Sequence, residues 1–159
     1  MTEPGPSCVF CAILAGRLPS SRVHEDADTV AFLDIRPLTP GHLLVIPRAH
    51  AAGLAELDEG LGARVFTVAQ RLAAGLRQSG FCAGTDLFLA DGVTAGQEVF
   101  HVHLHVIPRY PGDGFRLKAR VRTPDRGTLD ATAGEIRQAL GTSPAGPDDP
   151  GQAPETGPG

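Results

Sequence analysis

Among its 159 residues the chain has no tryptophan, one tyrosine, one methionine and one lysine. It also lacks any run of Lys and Arg. Without such a run it is not expected to bind nucleic acid generally by neutralising phosphates. No apolar stretch approaches the roughly 20 residues that span a bilayer, so no membrane partner is expected. The start, Met1–Ser7, lacks the basic opening and apolar core of a secretory signal. The expectation is a cytoplasmic, reducing location. There the three cysteines are thiols or metal ligands before they are disulfides.

Glycine and proline, by contrast, are plentiful, at 20 and 14 residues, and they are unevenly spread. Residues 141–159 hold five of each and no Val, Ile, Leu, Met, Phe or Tyr. Asp148, Asp149 and Glu155 lie there with no Lys or Arg against them, and Glu3 completes the formal charge of −4. Residues 8–140 are therefore formally neutral and long enough for one core. The predicted organisation is a flexible head over 1–7, one domain over 8–140 and a disordered acidic tail over 141–159.

Within the domain, a short helix is predicted from Ser7 to Ala15, ended by Gly16 and Pro19. Val23–Glu25 and Thr29–Asp34 form a hairpin pattern around Asp26-Ala27-Asp28. Leu43–Ile46 reads as a buried strand stopped by Pro47. A long helix runs from an N-cap at Asp58 to Gly80. Leu57, Leu61, Val65, Val68, Leu72 and Leu76 make one face that packs on a sheet. Asp86–Ala90 and His101–Ile107 read as strands, and Leu129–Leu140 as a terminal helix. Short connections favour antiparallel pairing, so the class is α+β, with a sheet of about five strands.

Three of the six histidines fall in His101-Val102-His103-Leu104-His105-Val106. In a strand, residues two apart share a face, so the imidazoles point one way and Val102, Leu104 and Val106 the other. Such a row admits two chemistries. Neutral imidazoles bind a metal, or one imidazole attacks an electrophile while its neighbours stabilise charge. No Asp or Glu occurs between Phe100 and Tyr110, which weakens a purely hydrolytic metal reading of all three.

The run His101–Ile107 resembles the signature of the histidine triad family, His-x-His-x-His-x-x with apolar x. Asp34-Ile35-Arg36-Pro37-Leu38-Thr39-Pro40-Gly41-His42 through Pro47 resembles the family's N-terminal motif, and Gly96-Gln97-Glu98-Val99-Phe100 the run before its triad. The similarity covers roughly Cys8–Phe115 and is nearest to the bacterial, nucleoside phosphoramidase-like branch. It implies the family fold and cleavage at the α-phosphorus of a purine nucleotide. His103 would be the nucleophile of a nucleotidyl-histidine intermediate, with His105 and His42 flanking the phosphate and Gln97 donating near the leaving side. Phe10, Ile13, Phe32, Leu33 and Ile35 would line the base site, Val99 would also contact the nucleotide, and Asp34 would accept from the ribose hydroxyls. Ala90 replaces the Asn of many relatives, and Glu98 the Ser of animal ones. The family pattern also implies a homodimer, and keeps dinucleoside polyphosphate hydrolysis or regulatory nucleotide binding as alternatives.

Cys8-Val9-Phe10-Cys11 has metal-ligand spacing and needs two further ligands to close a site. The resemblance supplies them as His50 and His101, giving a structural zinc. His24 and Cys82 match no motif.

Overall fold

The computed structural model describes residues 8–116 and 119–142. The head, most of the 141–159 tail and Ser7 of the first predicted helix lie outside them. Residues up to Arg116 make one unit and those beyond it a second, which are taken separately.

In the first unit, α1 (Val9–Leu14) precedes the hairpin β1 (Arg22–Glu25) and β2 (Thr29–Leu33). β3 (Leu43–Pro47) follows, then α2 (Glu59–Gln78), β4 (Gly84–Phe88) and β5 (Leu104–Arg109). The strands form one antiparallel sheet in the order β1-β2-β3-β5-β4. The α+β class with about five strands therefore holds.

Alternation along the strands divides the core. Ala31, Leu43, Val45, Leu104 and Val106 face one way and meet Val65, Val68, Ala69 and Ala73 of α2. That is the expected stripe, rotated slightly towards the small residues. Asp58 caps α2 by accepting from the Leu61 N–H at 2.9 Å. Val30, Phe32, Leu44 and Ile46 face the other way and meet Phe10 and Ile13 of α1. Register then sets a row across four strands on this second face, Phe32–Leu44–His105–Phe88.

Two strands, β4 and β5, differ from the sequence expectation by more than one residue. β4 starts at Gly84, earlier than Asp86, because β5 runs on to Arg109 and pairs with it there. It ends at Phe88, so Ala90 is buried outside the ladder. β5 starts at Leu104. Before it, the Val102 N–H turns to the Ala51 carbonyl at 2.8 Å and the His101 N–H to that of Val99 at 2.9 Å. The backbone N–H groups of His101 and Val102 are thus satisfied by neighbouring loops. The alternation of faces nonetheless persists through them.

The second unit contains α3 (Arg126–Leu140), longer at its start than expected because Asp125 caps it through the Thr128 N–H. Gly141, at φ 64°, ends it.

Candidate functional site

The turn Pro37–Gly41 delivers His42. Gly41 sits at φ +80°, and a Cβ there would lie 2.6 Å from a Phe81 ring carbon, so only glycine fits. The turn is tied to the end of β5 by Thr39 Oγ1 donating to the Pro108 carbonyl at 2.6 Å. Tyr110 donates to the Pro40 carbonyl at 2.8 Å. His42 is thereby buried at 2% exposure.

Its bonds dictate the protonation of its neighbours. The Leu38 N–H donates to His42 Nδ1 at 3.2 Å, so this nitrogen is bare. His42 Nε2 then carries the proton and donates to His105 Nδ1 at 2.8 Å. That makes His105 Nε2 the protonated nitrogen, a donor. His103 Nδ1 donates to the His101 carbonyl at 2.8 Å, which leaves His103 Nε2 bare. The His103 and His105 rings are 5.0 Å apart. A lone pair and an N–H donor therefore stand side by side, assigned from this network.

Burial favours the neutral form of His105 and His42. It lowers His105 to about 4, with His103 and His42 adding to the effect. It also lowers His42, against the pull of Asp34. A charged imidazole would accept no bond from a neighbour, so neutrality preserves the relay.

His103 and His105 line a cavity of about 650 Å³, the size of a small-ligand site. Phe10, Ile13, Phe32, Leu33, Asp34, Ile35, His42 and Val99 line it too. Phe10 packs edge-on to Phe32 at 5.7 Å and to His103 at 5.2 Å. Asp34 Oδ1 accepts the Arg36 N–H at 2.8 Å, and its Oδ2 lies 3.8 Å from His42 Nδ1.

Gln97 is the exception. It is buried away from the cavity lining and its amide is spent on backbone. It accepts from the Gly92 N–H at 2.7 Å and donates to the Ala52 and Val99 carbonyls at 2.7 and 3.1 Å. It shapes the loop and has no donor left for a leaving group. Conversely, Val9, Arg36, Leu44 and Phe88 line the cavity without having been singled out. Leu44 and Phe88 were findable only through the cross-strand row with His105.

Cys8, Cys11, His50 and His101 converge, with one ligand atom from each within 4.8 Å of all the others. Cys8 and Cys11 Sγ each lie 3.6 Å from His101 Nδ1, and Cys11 Sγ lies 3.4 Å from His50 Nδ1. A tetrahedral ion with ordinary Zn–S and Zn–N bonds holds sulfur and nitrogen about 3.6 Å apart. His101 Nε2 donates to the Pro47 carbonyl at 2.9 Å, which leaves Nδ1 bare and aimed at the sulfurs. Burial, helped by Cys8, pushes the Cys11 thiol up to about 11, a cost that a bound cation would reverse. The donor set fits zinc. Asp34, His42 and His105 also cluster, but His42 Nε2 and His105 Nδ1 are spent on each other.

Comparison with known proteins finds the same family and fold. A family model described as HIT domain matches residues 15–112. A solved protein from Streptococcus mutans, SMU.412c, superposes with a TM-score of 0.82 at 36% identity, covering 88% of this chain and 89% of that one. A zinc-bound histidine triad family protein from Mycobacterium smegmatis superposes at 0.67 with 40% identity, covering 84% and 97%. A histidine triad nucleotide-binding protein from Candida albicans superposes at 0.76 with 29% identity, covering 85% and 98%.

Proposed function

The chain belongs to the histidine triad (HIT) family, and from that membership we propose that it hydrolyses purine nucleoside phosphoramidates at the α-phosphorus. The observation that carries this reading is the pairing of tautomers: a bare His103 Nε2 beside a protonated His105 Nε2, in one cavity.

The base packs among Phe10, Ile13, Phe32, Leu33 and Ile35, and the ribose hydroxyls donate to Asp34. His103 Nε2 attacks phosphorus. The phosphorus–nitrogen bond breaks with its electron pair on the leaving nitrogen, which takes a proton from water at the open rim. Water then attacks the nucleotidyl-histidine, returns that proton to solvent and releases nucleoside monophosphate. Two steps replace one direct attack of water on an anionic centre. The His105 N–H meets the developing charge on the phosphoryl oxygens, and His42 fixes that proton in place.

Zinc held by Cys8, Cys11, His50 and His101 would supply a closed structural cross-link and no chemistry at phosphorus. The protein would act in the cytoplasm as a homodimer. β4 is an edge strand with Leu87 and Phe88 half exposed, and two-fold dimers are the commonest oligomers.

The test is turnover of adenosine 5′-phosphoramidate against diadenosine polyphosphates, in wild type and His103→Ala. Faster turnover of the phosphoramidate, lost in the variant while AMP still binds, supports the reading. A trapped adduct on His101 or His105, or a preference for the polyphosphate, overturns it. AMP binding with no turnover of either substrate makes the protein a nucleotide-binding regulator.

A further inference from the structure

Gly96, Glu98 and Val99 line the same cavity as His103 and His105. A second hollow of about 350 Å³ shares Val9, Glu98 and Val99 with it. The metal-binding Cys8 and His50 border this hollow, and Phe100 and Ala52 complete its lining. Glu98 is the one carboxylate in its lining.

Glu98 also meets the cavity rim. Its Oε2 accepts from Arg36 Nη2 at 2.5 Å, joining segments 62 residues apart. Both side chains are highly exposed, at 78% for Arg36 and 73% for Glu98, so the pair holds weakly and a charged ligand group displaces it readily. Arg36 does not neutralise the rim. Asp34 shares its charge, and the two carboxylates together hold its proton more firmly. Asp34, Arg36 and Glu98 together leave one net negative charge at the mouth.

We propose that the hollow is the leaving-group subsite and that Glu98 is its specificity-determining residue, selecting amines that carry a positive charge of their own over neutral or anionic groups. The inference rests on the phosphoramidate reading and adds the chemistry beyond the scissile nitrogen. An amine with a three- to five-carbon stem lays that stem on Val9, Val99 and Phe100. Its far ammonium then replaces Arg36 on Glu98. A polyphosphate group meets the same carboxylate with like charge.

Three adenosine 5′-phosphoramidates test this, their nitrogens carrying 1,5-diaminopentane, n-hexylamine or 6-aminohexanoate. For wild type, kcat/KM should fall in that order. Unit charges about 4 Å apart in water differ by about fivefold in occupancy. The diamine-to-carboxylate ratio should therefore drop at least fivefold in Glu98→Gln. It should rise in Arg36→Gln, which removes the competing cation. Both positions are exposed, and circular dichroism checks that both variants fold. Turnover of all three compounds with a ratio unchanged within twofold in Glu98→Gln, or falling in both variants, overturns the inference and leaves the phosphoramidate reading standing. No turnover of any of the three by wild type overturns both.

Discussion

Replacing His42 with leucine tests whether the protonation of His105 is imposed by its neighbour. His42 is 2% exposed and makes two bonds, one from the Leu38 N–H and one to His105 Nδ1. Leucine fills much of the volume and supplies neither. His105 then loses its partner at Nδ1 and is free to move its proton there. The pocket then faces a lone pair where it had a donor. Loss of one preorganised donor to developing charge costs about 10²–10³ in kcat. The Leu38 N–H also loses its acceptor, at little cost because Leu38 is exposed and its N–H can turn to water. His42→Gln offers an amide N–H in place of Nε2 and should recover at least tenfold of the lost rate. Nitrogen NMR of labelled histidine reads the tautomer directly, as Nε2–H on His105 in wild type at pH 7 and a mixture in His42→Leu. A folded His42→Leu protein within threefold of the wild-type kcat, with the His105 tautomer unchanged, would refute the relay.

Stability should fall as pH drops. His105 is held to about 4 by burial and by His103 and His42, against about 6.5 in an unfolded chain. Between those values the unfolded state binds the extra proton, so stability is full above pH 6.5 and declines towards pH 4. The loss reaches about 3 kcal/mol. Urea unfolding at stepped pH measures it, and the slope should flatten in His105→Leu. Chelation or Cys8→Ser should remove about one zinc per chain and lower Tm while the sheet persists below it. A six-residue helix is too short to stand alone, so α1 should be the segment that gains amide exchange. Unchanged exchange over Val9–Leu14 in metal-free protein would contradict this.

Much of the architecture was legible because burial writes itself into periodicity. The α2 stripe, the cap at Asp58 and the hairpin around Asp26 all follow from one-dimensional spacing. The three histidines were legible too, but as side chains on one face of a strand whose ladder ends at Leu104. What joins them to the chain before Leu104 is loop backbone, Ala51 and Val99, and no residue type announces a carbonyl. The same blindness hid Leu38, which contributes only its N–H. Gln97 was read as a donor to ligand because an amide suits that task; three backbone partners claim it instead. Phe88 had no motif, and only the register against His105 brings it to the cavity.

His101 stands in two circuits at once, through different atoms. Its ring belongs to the cysteine cluster and its carbonyl oxygen orients His103. Every amino acid has that oxygen, so replacing His101 deletes only half of what it does. The loss of activity in such a variant would measure how far the backbone drifts once the ring lets go. It would not measure a chemical debt of the imidazole. A genetic scan would thus score His101 as catalytic by proxy. Its effect should also be non-additive with changes at Cys8 or Cys11, since all three release the same carbonyl.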